Sequence, residues 1–63
     1  MFYKVTCGQL EKTVIADGPE RAADKAIGYR HVGNLNEVGT EVWLGKHKPS
    51  HMVVRIARVY LGN

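Results

Sequence analysis

The sequence predicts a small α+β domain with the element order β-β-α-β-β. We expect a four-stranded, mainly antiparallel sheet with one helix on one face. Three observations support this class: segments rich in β-branched and aromatic residues occur at both ends of the chain, one helix signal separates them, and turn residues lie between neighbouring segments. The chain has 63 residues, so we expect a single domain spanning residues 1–63.

The first two strands are predicted from the N-terminal residues. FYKVTC at residues 2–7 alternates in character and is rich in strand-forming residues. Gly8-Gln9 can turn the chain, and KTVIA at residues 12–16 has the composition of a returning strand. Together these segments predict an N-terminal hairpin.

The helix follows in the segment ADGPERAADKAIG. Asp17, with Glu20 three residues later, fits a capping box. Alternatively, Gly18 is the N-cap and Pro19 takes the first helical position, where its missing N–H costs nothing. Small or apolar residues then recur on one face of the predicted helix: Ala22, Ala23, Ala26 and Ile27.

The second half of the chain is predicted to be one loop and one hairpin. HVGNLNEVG at residues 31–39 has two glycines and two asparagines with no clean period, which is typical of a loop. EVWLGK at residues 41–46 predicts a strand, KPS a turn, and HMVVRIARVYL at residues 51–61 a long strand. Because the loop can reach either side of the sheet, the position of this hairpin in the strand order stays open.

The last strand is apolar on both faces. Side chains alternate across a strand, and each face of residues 51–61 holds mostly apolar residues and one arginine. A sheet that exposes one face to water normally has a polar outer face. Either both faces are covered within the chain, which one short helix cannot do, or the open face meets another protein chain.

We therefore predict a protein-binding surface on the open face of the sheet. Its candidate residues are Phe2, Trp43, Met52, Val54, Ile56 and Tyr60. On this hypothesis, Asp in place of Trp43 or Ile56 abolishes association and leaves a folded monomer. The alternative interpretation is an exposed sheet with a few scattered apolar residues. The core of a 63-residue chain is small, and proteins of this size are often stabilised by association. We therefore also expect a homo-oligomer.

Positive charge is concentrated at the C-terminal end. The net charge is +3, yet residues 1–41 hold five Lys or Arg against six Asp or Glu, and residues 42–63 hold four Lys or Arg and no acid. This asymmetry favours an anionic partner. The alternative function is therefore nucleic-acid binding through a basic, proline-tipped turn, whose candidate residues are Lys46, His47, Lys48, Pro49, Arg55 and Arg58. An ordinary solvated hairpin tip explains the same residues.

Catalytic and metal chemistry have little support. His47 and His51 are four residues apart, but Pro49 and Ser50 between them remove the helical geometry that would make this a zinc spacing. Cys7 is the only cysteine, which excludes a disulfide within the chain, and a strand cysteine is typical of packing. We expect no enzyme activity, no cofactor and no bound metal. The sequence has neither a signal-peptide pattern nor a membrane-length apolar run, which predicts a cytoplasmic protein.

One resemblance adds to this picture. The run F2-Y3-x-V5, followed by V14-I15-A16-D17-x-P19-E20-R21-A22 and A26, resembles a pattern of very short phage proteins. In outline it is similar to the early protein by which some T7-like podoviruses inhibit host RNA polymerase. The similarity covers roughly residues 2–44. It implies a small modulator or inhibitor of a host protein, acting in the host cytoplasm, and no individual functional residue is carried over.

Overall fold

A computed structural model describes residues 1–28 and 31–60 of the chain and has one helix on one face of a five-stranded antiparallel sheet. Its elements are β1 (Phe2–Cys7), β2 (Leu10–Ile15), α1 (Pro19–Ala26), β3 (Val32–Gly39), β4 (Val42–His47) and β5 (Val53–Val59). The strand order is β2-β1-β5-β4-β3. The α+β class is confirmed, and the predicted strand count of four is corrected to five.

The N-terminal hairpin forms as predicted. β1 and β2 pair over six consecutive positions, from Phe2 opposite Ile15 to Cys7 opposite Leu10. Gly8 has a φ of 61° and begins the two-residue turn, where a positive φ matches the twist of the two strands. β1 also pairs with β5 along its whole length, which places the N-terminal strand inside the sheet.

The helix begins at Pro19, with Gly18 as its N-cap and no side-chain hydrogen bond at the cap. Of the two predicted starts, the glycine cap followed by proline is therefore the one that forms, and Asp17 does not cap the helix. The alanine face is turned towards the sheet, and Ala22, Ala23 and Ala26 are buried. Small side chains allow the helix backbone to lie close to the strands.

The segment predicted as a loop, residues 31–39, is largely strand β3, which pairs with β4. Its pairing shifts register between Gly33 and Asn36 and again between Glu37 and Gly39, and Asn34 has a φ of 55°. Such bulges insert extra residues into one strand and break the alternation that a sequence pattern relies on. The strand was missed because its own irregularities hide its period.

The core lies between α1 and the central strands. Val5, Val54 and Ile56 are fully buried side chains in this layer. Around them lie the remaining buried core residues: Tyr3, Ala16, Ala22, Ala23 and Ala26. We call the side of the sheet that faces α1 the covered face and the opposite side the open face. The last strand, predicted over residues 51–61, is shorter and covers Val53–Val59, while Leu61 lies outside the described residues.

Candidate functional site

Three of the six residues predicted to line the binding surface lie on the covered face. Val54 and Ile56 are 0% exposed, beneath α1. Trp43 pairs with Ile56 across the sheet and packs its ring edge-to-face against Tyr3, with ring centroids 5.9 Å apart. The expectation that Val54, Ile56 and Trp43 form an open surface is therefore corrected: Val54 and Ile56 belong to the core, and Trp43 packs against it.

The other three predicted residues do not share one surface. Phe2 lies on the open face, half-buried between Ile15 and Val59 on the neighbouring strands. Met52 precedes β5 and is 45% exposed, beside the Gly8 turn. Tyr60 is 67% exposed after β5, with the Arg58 guanidinium 4.4 Å from its ring centroid. Phe2 alone belongs to the surface that the sheet leaves open.

The open face has an apolar region that the sequence prediction did not identify. Strand pairing places six apolar residues next to one another on four strands, and we call them the apolar corner: Phe2, Ile15, Val42, Leu44, Ala57 and Val59. Ile15 is 57% exposed and Leu44 is 36% exposed. The other four side chains of the corner are half-buried, so the apolar corner is a partly exposed apolar region on a face that α1 does not cover.

Apart from the exposed Val53, the rest of the open face is largely polar and carries more positive than negative charge. Lys4 pairs with Glu11, with Nζ and Oε2 3.1 Å apart, and both side chains are well exposed. Arg55 lies opposite Leu44, and Lys46 lies opposite Val53. Within residues 1–28 and 31–60, neither Arg55 nor Lys46 has an ion-pair partner. The apolar corner is therefore bordered by two positively charged side chains, Arg55 and Lys46.

Arg58 is separated from these charges. Its guanidinium donates to the Glu41 carboxylate, with Nη1 and Oε1 2.7 Å apart, and its strand position is opposite Tyr3 on the covered face. Arg58 is therefore held in an ion pair with Glu41 across the sheet. Because its charge is already neutralised, Arg58 does not extend the positive region of the basic turn.

The basic turn, residues 46–51, divides its side chains between the two faces. Lys46 lies on the open face, whereas the ring of His47 is turned to the other side and its Nδ1 is 2.5 Å from the Ser50 hydroxyl. The backbone N–H of Lys48 donates to the His31 carbonyl at 2.7 Å, which fixes the turn against the start of β3. The predicted nucleic-acid residues are therefore only partly brought together, with Arg55 and Lys46 on one face.

The histidines do not assemble a metal site with other ligands in the described part of the chain. The His31 and His47 rings meet edge-to-face with centroids 6.2 Å apart. No group of three or more His, Cys, Asp and Glu side chains within residues 1–28 and 31–60 is placed to hold a metal ion. Cys7 is half-buried against the core. The expectations of no metal and no catalytic activity stay predictions.

A cleft of about 370 Å³ lies between α1 and β3. Glu20 and Asp24 of the helix face it from one side and Lys48 from the other, above an apolar floor that includes Val32 and Leu35. Two carboxylates and one ammonium around an apolar floor do not select one chemical class of ligand. The open face therefore remains the stronger candidate site.

The fold is that of a small α+β protein, and the described part of the chain has one helix on one side of the sheet. No protein-family model matches the sequence, and no curated protein and no solved structure is significantly similar to it. The similarity to short phage proteins therefore rests on the quoted residues alone. Among the described residues, no helix is long and apolar enough to cross a membrane.

Proposed function

We propose that this protein is a non-enzymatic protein-binding module that contacts its partner through the open face of the sheet. The observation that supports this most directly is the apolar corner, where Ile15, Leu44 and Phe2 lie on a face without a covering helix. Burying such residues against a partner is favourable by about 25 cal/mol for each Å² of apolar surface removed from water. Arg55 and Lys46 beside the corner orient a partner of complementary charge.

The resemblance to short phage proteins adds a narrower hypothesis about the partner. On that hypothesis the protein modulates or inhibits a host protein in the host cytoplasm. A surface that binds a host protein needs an exposed contact region and no reaction centre, and the open face fits this requirement.

The proposal is tested by photo-crosslinking in the native host cells. A photoreactive residue in place of Val53, which lies on the open face and is 62% exposed, is expected to capture a partner polypeptide. The same residue in place of Glu20 on α1 is the control position and is expected to capture much less. Leu44→Asp, which puts a carboxylate into the apolar corner, is expected to remove the Val53 crosslink.

A second substitution separates this effect from a general loss of folding. Val38 is 59% exposed and lies outside the apolar corner, so Val38→Asp is the matched control and is expected to keep the crosslink. Equal capture from Val53 and Glu20, or a Val53 crosslink that survives Leu44→Asp, would contradict the proposal. Far-ultraviolet circular dichroism of each variant checks that the sheet is intact.

Nucleic-acid binding is the second candidate, because Lys46 and Arg55 share the open face without an ion-pair partner in the described ranges. It predicts binding to short DNA probes that weakens as the salt concentration rises. The logarithm of the binding constant should fall against the logarithm of the salt concentration with a slope of about −0.9 for each phosphate contact on duplex DNA. We expect Lys46→Glu combined with Arg55→Glu to remove that binding, measured by fluorescence anisotropy. Absence of binding to duplex and single-stranded probes at low salt would exclude this candidate.

A further inference from the structure

The strand β2 forms a regular free edge of the sheet. The strand order places β2 and β3 at the two edges. β3 is interrupted by two register shifts and by the positive φ of Asn34, and such bulges discourage pairing with another strand. β2, in contrast, pairs with β1 at six consecutive positions without a shift. Its outer side is therefore the straight row of backbone groups that a further strand can join.

Two hydrogen bonds identify which β2 residues point outwards. The Ala16 N–H donates to the Met1 carbonyl at 2.9 Å, and bonding alternates along an antiparallel pair. Residues 11, 13 and 15 therefore direct their N–H and C=O groups away from β1. The Lys25 ammonium donates to the Ile15 carbonyl at 2.6 Å, which independently shows that this carbonyl points outwards. Within residues 1–28 and 31–60, the outward backbone groups of Glu11 and Thr13 have no hydrogen-bond partner.

We propose that β2 pairs antiparallel with β2 of a second copy of this chain, around a two-fold axis at Thr13. In this register Thr13 faces the partner's Thr13, and Glu11 faces the partner's Ile15. All three outward residues of each strand then exchange hydrogen bonds across the axis. The Ile15 carbonyl has two lone pairs, so it can accept from the partner's Glu11 N–H while Lys25 remains bonded.

The charges along β2 disfavour two of the other registers. Like charges directly opposite each other in a sheet are destabilising. A two-fold axis at Lys12 would oppose two lysines, and an axis at Val14 would oppose Glu11 and the partner's Asp17. With the axis at Thr13, Lys12 faces the partner's Val14, and two threonines, which form favourable cross-strand pairs, face each other.

The surroundings of Glu11 and Ile15, which face each other at both ends of the proposed pairing, fit the same register. Lys4 already neutralises Glu11 at 3.1 Å, so the Glu11 side chain can lie beside the partner's Ile15 without an unpaired charge. Ile15 is more than half exposed in the single chain and gains a neighbour. Self-complementarity of this kind is what a two-fold interface requires.

The dimer would join two five-stranded sheets edge to edge. The two-fold axis is perpendicular to the sheet, so both helices lie on one side and both open faces on the other. The dimer does not depend on the proposed protein-binding function. Where that function holds, pairing places two apolar corners on one continuous surface and makes the module bivalent.

The test uses the residue on the axis, because that residue faces its own copy. Thr13 is exposed, so the single chain is expected to accommodate either charge. The wild-type chain is expected to form a dimer in sedimentation and native mass spectrometry, while Thr13→Asp and Thr13→Lys are each expected to be monomeric because like charges meet at the axis. A mixture of the two variants is expected to restore a dimer that contains one copy of each.

The outcomes that overturn the proposal are equally specific. A wild-type chain that stays monomeric into the millimolar range excludes the dimer. Homodimers of Thr13→Asp as abundant as those of the wild type, or a mixture that forms no mixed dimer, exclude the axis at Thr13. Circular dichroism of each variant is required to show that the chain is folded.

Two further variants separate this edge from the open face. The Thr13 N–H makes no bond to β1, so Thr13→Pro removes an edge donor without removing a bond inside the sheet, and it is expected to be a folded monomer. Leu44→Asp, on the open face, is expected to leave the dimer intact. The reverse result, a dimer lost in Leu44→Asp and kept in Thr13→Pro, overturns edge pairing and leaves the protein-binding proposal standing.

Discussion

Ile56→Asp is expected to unfold the protein. The Ile56 side chain is 0% exposed, between the Val5 position on β1 and the Trp43 position on β4. Within residues 1–28 and 31–60 no polar or charged side chain is buried in this core, and burying an unpaired charge is strongly unfavourable. Truncation alone, as in Ile56→Ala, is expected to cost about 2–5 kcal/mol. A domain of this size has a total stability of roughly 3–5 kcal/mol, so the charged variant should not remain folded.

The matched control lies on the same strand. Val53→Asp introduces the same carboxylate on the open face at a side chain that is 62% exposed, and it is expected to change stability by at most about 0.5 kcal/mol. Urea unfolding followed by circular dichroism measures both variants. A wild-type unfolding midpoint for Ile56→Asp would show that Ile56 is not in the core.

This result would replace the sequence-based expectation that Ile56→Asp leaves a folded monomer. Both faces of the last strand are apolar, so alternation alone does not tell which face the helix covers. That choice depends on pairing between residues far apart in the chain, here Val5 with Ile56 and Ile56 with Trp43. Of the six side chains that the sequence assigned to the open face, only Phe2 lies there.

The local elements were more predictable than their arrangement. β1 and the alanine-faced helix have strong signals within their own residues, and both form. β3 does not, because Gly33, Asn34 and its register shifts break the alternation. The strand order, which makes β2 a free edge, follows from β1 pairing with β5 across most of the chain length and has no local signal.

The apolar corner illustrates the same limit. Ile15 and Val59 belong to different ends of the sequence and meet only because both pair with Phe2. Each looks like an ordinary strand residue in its own segment. Phe2 was correctly assigned to the open face, but the positions of Ile15 and Val59 follow only from the register in which β2 and β5 pair with β1.

Gly45→Ala is expected to destabilise the protein although alanine is the smallest possible addition. Gly45 pairs with Val54 on the covered face of β4. An added Cβ would lie 2.9 Å from Leu35 Cδ1 and 3.1 Å from the Gly33 carbonyl oxygen. The leucine can rotate, but the carbonyl belongs to the backbone of β3, so the strand itself has to move.

The expected size of this effect follows from overpacking. Inserting a group into a close-packed site costs about 1–3 kcal/mol, a large share of what a small domain has. Gly45→Val should cost more, although valine is a better strand former than glycine, because its extra methyl groups enlarge the same clash. Strand preference therefore predicts that Gly45→Val stabilises the protein, and packing predicts that it destabilises the protein. We expect destabilisation, because the β3 backbone lies so close to this position.

Gly39→Ala is the control for the general effect of replacing a strand glycine. A Cβ at Gly39 would lie 3.9 Å from Val42 Cβ, an ordinary contact, so we expect a change between zero and a gain of about 1 kcal/mol from the reduced freedom of the unfolded chain. Urea unfolding curves with a common slope measure all three variants. Equal losses of stability in Gly45→Ala and Gly39→Ala would show that the close approach of β3 to Gly45 does not cause the destabilisation. A loss confined to Gly45 would show that the glycine is needed because β3 packs its Leu35 and Gly33 directly against β4.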